Sequence, residues 1–169
     1  MNIVVDMDET LIATRAAHLN NTNLPIVRLG MCLGILENAV VRPHAEEFLL
    51  FCRAKFDKVV CCSFSATPRV RLCLSGTGLL QYFDEFYGWD DIQGRNGVGP
   101  NLGQFVLIDD YDWRRDDLVL TKLRFFGFPN NNENFTDVSR YYLNVGKFTG
   151  SDQDSDLLRL IPMLETRLN

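Results

Sequence analysis

Three places in the chain set oxygen-bearing side chains directly after apolar runs. The first is Asn2-Ile3-Val4-Val5-Asp6-Met7-Asp8-Glu9-Thr10, where carboxylates crowd the end of a short β-branched stretch. The second is Lys58-Val59-Val60-Cys61-Cys62 running into Ser63-Phe64-Ser65, and the third is Phe105-Val106-Leu107-Ile108 running into Asp109-Asp110. Acidic residues after strands also serve as helix N-caps, which accounts for either acidic group alone. It does not account for two such groups with a hydroxyl-bearing tip between them. If the three strands are neighbours, Asp6, Asp8, Asp109 and Asp110 converge, and carboxylates so placed repel one another unless a cation sits among them. Oxygen donors of this kind select a hard ion, Mg²⁺.

The elements that must position these groups can be read from the apolar pattern. Residues 2–6 are too short and too β-branched for a helix and predict a buried strand. In residues 11–41, apolar runs at Ile26-Val27, Cys32 to Leu36 and Ala39 to Val41 are punctuated by Gly30, Gly34 and Asn38, which predicts a small antiparallel insert. A helix is expected from Arg42-Pro43, with Glu46 and Glu47 near its positive end and Ala45, Phe48, Leu49, Cys52 and Phe56 on one face. Strands over 58–62 and 105–108 are separated by a helix that Pro68 opens and that stops near Gly76 or Gly78. An Asn-rich loop at 130–134, a short strand around Tyr141 to Val145 and a helix over about 154–167 complete the chain.

Strands that are apolar throughout and alternate with helices indicate an α/β fold, a parallel sheet with helices on both faces. In such sheets the ligand site lies at the carboxyl ends of the strands. The 169 residues, 46% hydrophobic and 23% charged, suit one domain carrying the insert. The formal net charge is −5 with no long basic run, which argues against direct nucleic-acid binding. No stretch of about 18 apolar residues is present to span a membrane. No secretory leader is read at the N-terminus, so an intracellular chain, in cytoplasm or nucleus, is expected. Five cysteines without CxxC spacing, beside only His18 and His44, predict buried thiols in a reducing compartment rather than zinc or disulfides.

Asp6-Met7-Asp8-Glu9-Thr10-Leu11-Ile12 resembles the DxDxT motif of the haloacid dehalogenase superfamily. More narrowly, it is similar to the DLDETL of the FCP/SCP family of RNA polymerase II C-terminal-domain phosphatases. Arg42-Pro43-His44-Ala45-Glu46-Glu47-Phe48-Leu49 resembles that family's RPxxxEFL segment. Ser63-Phe64-Ser65 stands where the family has its FTAS tip, and Asp109-Asp110 where the superfamily often has Asp-Asp. Asp156 to Glu165 resembles the family's closing ELLDLLPFLE helix. The series covers nearly the whole chain in order, and compact copies of this kind are known in some large DNA viruses.

The resemblance implies a Rossmannoid fold with a small β insert after the first strand. It also implies a Mg²⁺-dependent phosphatase acting on a phosphorylated protein or peptide, such as the polymerase C-terminal domain. Asp6 would be the nucleophile and Asp8 the general acid and base, with Thr10 bracing the loop. Ser63 and the N–H groups near Phe64 would hold phosphate. Asp6, the main-chain carbonyl of Asp8, Asp110 and Asp109 would hold the metal.

The superfamily lysine expected ahead of the Asp-Asp strand has no counterpart here, since no lysine lies between Lys58 and Lys122. Arg95 is then the nearest cation for phosphate. The missing lysine opens one alternative, a catalytically impaired binding module, and the compact insert, which need not select peptides, opens another, a small-molecule phosphatase. A cysteine phosphatase is excluded because CCSFSATPR lacks the C-x5-R spacing. The order of the acidic motifs is wrong for a receiver domain. Phe64, Tyr111, Trp89 and Trp113 are candidates for the mouth of the site, the tryptophans fitting core packing better.

Overall fold

A computed structural model describes the chain except for residues 96, 97, 116, 129–134 and 169, and for residues 135–137 it describes the backbone alone. The strands are β1 (Asn2–Val5), β2 (Ile12–Ala13), β3 (Val27–Cys32), β4 (Ile35–Val41), β5 (Val59–Cys62), β6 (Glu85–Tyr87), β7 (Phe105–Asp109) and β8 (Tyr142–Asn144). The α-helices are α1 (Ala16–Leu19), α2 (Ala45–Lys55), α3 (Thr67–Gly76), α4 (Trp89–Gly94), α5 (Asp117–Phe125), α6 (Phe135–Tyr141) and α7 (Asp156–Leu168), with a 3₁₀ turn at Leu79–Tyr82.

Five strands form one sheet in the order β6-β5-β1-β7-β8, and every pairing in it is parallel. Successive side chains of a strand leave opposite faces of the sheet, which explains why the strands are apolar without alternation. Ile3, Val5, Val59, Cys61, Val106 and Ile108 pack on one face with residues of α2, α3 and α7. Val4, Val60, Cys62, Phe105 and Leu107 pack on the other with Ile92, Val119, Leu120, Leu123 and Val138 from α4, α5 and α6. The result is the expected α/β architecture with helices on both faces.

The insert is antiparallel, as its pattern predicts, in the order β2-β4-β3. Its details differ from the sequence reading. The Cys32 to Leu36 run is broken by a turn at Leu33 and Gly34, both with positive φ. Asn38 is not a break but a paired residue of β4, opposite Arg28. The irregularity falls instead between Arg28 and Gly30, where φ of 112° at Gly30 needs a residue without Cβ. Helix α2 begins at Ala45 rather than at Arg42-Pro43, because His44 adopts a left-handed conformation (φ 63°) that closes the preceding turn. The Asn-rich loop at 130–134 lies outside the described residues. All five cysteines are free and buried, packed as small apolar groups. No helix among the described residues is long and apolar enough to cross a membrane.

Arg42 is not surface charge but a fully enclosed link. Nε and Nη2 donate to Asp154 at 2.8 and 2.9 Å, Nη2 reaches Asp156 at 3.3 Å, and Nη1 donates to the Thr10 carbonyl at 3.1 Å. The guanidinium also lies 5.6 Å from the Phe148 ring centroid. Removing one member of a buried pair strands the other's charge. Arg42→Met is therefore expected to destabilise the fold by about 3 kcal/mol, read as a lower urea midpoint with an unchanged slope.

Candidate active site

The three polar tips meet because β1 lies between β5 and β7. The register pairs Val5 with both Cys61 and Ile108, so Asp6 leaves the sheet level with the tip of β5 and beside Asp109. The Asp6 N–H donates to the Ile108 carbonyl at 2.9 Å, which continues the ladder one residue beyond the strand. The chain then turns tightly. Leu11 and Ile12 N–H both return to the Met7 carbonyl, and Glu9 sits at φ 59° with its N–H on the Ile12 carbonyl. This turn places Asp8 on the β5 side and Thr10 on the β7 side.

Asp6 is buried, and its Oδ2 accepts from Thr10 Oγ1 at 3.1 Å. The same hydroxyl lies 3.3 Å from Asp110 Oδ1, so Thr10 bridges the first and last acidic motifs and braces the loop. The other oxygen of Asp6 accepts from Lys122 Nζ at 2.6 Å, and Lys122 Nζ also donates to Asp109 Oδ2 at 2.6 Å. Oxygens of Asp6, Asp109 and Asp110 lie within 4.8 Å of one another. Asp109 Oδ1 is occupied by the Tyr111 N–H at 2.9 Å, which leaves Asp110 the more open of the pair.

Lys122 places an ammonium beside Asp6 and Asp109, where the sequence reading expects no lysine. The ammonium is supplied from behind β7, by α5, rather than ahead of it. Helix α5 was not read from the sequence. Its signal is Val119, Leu120 and Leu123 at helical spacing after Asp117, with Lys122 on the inner side. Lys122 is 1% exposed, and its Nζ lies 4.9 Å from the Phe64 ring centroid. Arg95, the proposed substitute, is elsewhere. It is an exposed residue at the end of α4, stacked 5.3 Å from the Tyr87 ring centroid, and it does not line the cleft. Arg95 is therefore not placed to hold a phosphate in this cleft.

The electrostatics ask for more positive charge than one ammonium supplies. Burial above all pushes the Asp6 carboxyl well above the usual carboxylate range; Lys122 pulls it back, and Asp109 and Asp110 push it further up. Asp110 is pushed up to about 6, by burial first and then by the carboxylates of Asp109 and Glu9. Burial opposes the charge on Lys122, but Asp109 and Asp6 override it and hold the amine above its ordinary range. Three carboxylates against one ammonium is the donor set and charge imbalance that a hard divalent cation fits.

Asp8 faces a different set of groups. Its Oδ2 accepts from Ser63 Oγ at 3.0 Å and Ser65 Oγ at 2.7 Å, and Arg69 Nη1 reaches Oδ1 and Oδ2 at 2.9 and 3.1 Å. The Asp8 side chain is therefore not among the clustered carboxylates. Ser63 Oγ also accepts from the Ser65 N–H at 3.1 Å, while the Ser63 N–H continues the sheet onto the Tyr87 carbonyl. Arg69 was missed as a site residue. Its signal was its place one helical turn after Ser65, to which it donates at 2.6 Å.

One open cleft of about 310 Å³ is walled by Asp6, Asp8, Ser63, Phe64, Arg69 and Lys122, with Tyr111 and Arg15 at its edges. Trp89 stacks behind Phe64 with ring centroids 5.2 Å apart, and Trp113 packs on the core below, the packing role expected of both.

No family model matches the sequence, and no curated protein sequence does. Solved structures do match in shape. A fission yeast RNA polymerase II CTD phosphatase, an arginine-to-alanine variant of Fcp1 bound to beryllium fluoride, covers 99% of this chain and 50% of its own, with a TM-score of 0.51 and 12% identity. A second structure, of Fcp1 as an essential RNA polymerase II CTD phosphatase, covers 98% and 61%, with a TM-score of 0.54 and 14% identity. This chain thus spans between one half and two thirds of those structures' lengths. What it shares with them is the fold: a five-stranded parallel Rossmannoid sheet of the haloacid dehalogenase type, flanked by helices.

Proposed function

We propose that the protein is a Mg²⁺-dependent phosphatase of phosphoserine or phosphothreonine in proteins, acting through an aspartyl-phosphate on Asp6. The observation that carries this reading is the ammonium of Lys122, held 2.6 Å from both Asp6 and Asp109 at the floor of the cleft. It supplies the charge whose absence had favoured a non-catalytic binding module.

A carboxylate and a phosphate repel each other, so attack requires that positive charge surround both. Bound Mg²⁺ would be held by Asp6, Asp110 and Asp109 with the main-chain carbonyl of Asp8, and would supply charge neutralisation of the phosphoryl oxygens. The chain's own residues do the rest. Lys122 holds Asp6 by one oxygen and Thr10 holds it by the other, so the carboxylate meets phosphorus in one orientation. Phe64 and Ser63 form the wall against which phosphate oxygens lie. Asp8, across the cleft from Lys122, gives its proton to the leaving oxygen and then takes one from the attacking water.

A peptide is favoured over a small ester by the apolar surface of the β3–β4 hairpin, which is tied to the cleft wall through Glu37. Met31, Leu33, Ile35 and Leu36 are exposed on the β3–β4 hairpin, 44–77% accessible, and Glu37 of the same hairpin bonds Arg69 in the cleft wall at 3.1 Å. The polymerase C-terminal domain is one such phosphopeptide substrate.

The test is release of phosphate from p-nitrophenyl phosphate and from a phosphoserine peptide, with Mg²⁺ and then with a chelator. Release from both is expected, faster per unit concentration from the peptide, falling to the buffer rate when Mg²⁺ is removed. No release above buffer from either substrate would overturn the reading.

A further inference from the structure

Arg69 lines the same cleft as Lys122 but touches neither Asp6 nor Asp109. Its side chain is 18% exposed, and every nitrogen of the guanidinium is engaged. Nη1 serves Asp8 and Ser65, Nη2 donates to Thr14 Oγ1 at 2.7 Å, and Nε donates to Glu37 Oε1 at 3.1 Å. One rigid plane thus joins the loop after β1, the residue after β2, strand β4 of the hairpin and the first turn of α3. A lysine offers a compact charge on a flexible stem and cannot span these partners in a fixed fork. With Ser63 and Ser65 also bonded to Oδ2, the Asp8 carboxylate has a single orientation.

We infer that Arg69 is a positioning residue for Asp8: it fixes the carboxylate at the mouth of the cleft, and through Glu37 it makes that placement depend on the hairpin. The inference rests on the phosphatase reading. As the bond from phosphorus to the leaving oxygen breaks, its electron pair stays on that oxygen, which takes a proton that the Asp8 carboxylate has first drawn from solvent, while phosphorus bonds to an oxygen of Asp6. Water then gives a proton to Asp8 as its oxygen bonds to phosphorus and the bond to Asp6 breaks, which releases phosphate and restores both residues. The placement of Asp8 matters most when the leaving oxygen cannot depart as an anion. An alcohol such as serine cannot, and dinitrophenol can.

The experiment compares kcat/KM, which reports transfer to Asp6, for 2,4-dinitrophenyl phosphate, phenyl phosphate and a phosphoserine peptide. The proteins are the parent, Arg69→Ala, Arg69→Lys and Glu37→Gln, with Asp6→Asn as the blank. Arg69→Ala is expected to lose about a hundredfold on the peptide, within what general acid catalysis contributes, and less than about threefold on the dinitrophenyl ester. Arg69→Lys stays near Arg69→Ala because the fork is gone, and added methylguanidinium restores part of the loss in Arg69→Ala. Glu37→Gln, which keeps shape and removes one charge, shows a smaller loss with the same dependence on the leaving group. It carries the comparison if Arg69→Ala does not fold. A loss equal across the three esters in the Arg69 or Glu37 variants overturns the positioning role while leaving the phosphatase reading intact. A parent no faster than Asp6→Asn overturns that reading and the positioning role together.

Discussion

Asp6→Asn is expected to abolish turnover, lowering kcat by about ten-thousandfold or more on every phosphate ester, because no other described group stands where the proposed nucleophile does. Asp109 and Asp110 are near, but Asp109 is tied at both oxygens, to Lys122 and to the Tyr111 N–H. The same substitution should not weaken the fold. Burial sets the Asp6 carboxyl above its ordinary range, so at neutral pH its charge is carried at a cost, and that cost is larger in the absence of metal. Urea unfolding in a chelating buffer is expected to give Asp6→Asn a midpoint equal to or above the parent's. Loss of activity at undiminished stability separates a functional carboxylate from a structural one. Retained turnover would remove Asp6 as the nucleophile.

Lys122→Met is expected to fail on both counts. The ammonium is enclosed, and two carboxylates depend on it at 2.6 Å each. Removing the cation they share leaves buried anions uncompensated, a loss of about 3–5 kcal/mol. Activity should fall by about a hundredfold to a thousandfold, since a preorganised donor aimed at developing charge is typically worth two to three orders of magnitude. Lys122→Arg keeps the charge but forces a larger, planar group into a space closed by the Phe64 ring. It is expected to restore part of the stability and little of the activity. The contrast with Asp6→Asn is diagnostic: one variant is inactive and stable, the other inactive and weakened. Lys122→Met with turnover within tenfold of the parent would show that the ammonium plays no part in the chemistry.

Much of this site is legible in the sequence because its parts are local. A buried parallel strand announces itself as an unbroken apolar run, and the polar residues at its end are read directly: Asp6 and Asp8, Ser63, Asp109 and Asp110. That the three tips meet is a matter of topology, and the register of β5, β1 and β7 bears it out. The cations were harder to read. Lys122 is buried on a helix whose neighbouring residues are apolar, so the motif that would reveal it is a helical face rather than a run. It also enters from the far side of β7, where order along the chain gives no prompt.

Arg95 was chosen for nearness in sequence to the Asp-Asp strand, and its guanidinium settled on an aromatic face instead. Arg69 lies within a segment tested for thiol chemistry, where its spacing fails. Its place in the cleft comes from one turn of helix after Ser65, together with an acidic partner on a hairpin strand thirty-two residues away. Contacts between distant segments of this kind depend on tertiary packing, which no window of sequence reports.

The enclosed guanidinium of Arg42 has a mechanical consequence. It clasps the backbone at Thr10 with one nitrogen and the start of α7 with the others, so the first turn of the chain and its last helix are riveted into one body. Tension or cleavage acting near residue 154 would be transmitted to Thr10, whose hydroxyl holds Asp6. A tether or protein that grips this end of the molecule would thereby have leverage over the placement of Asp6 without entering the cleft.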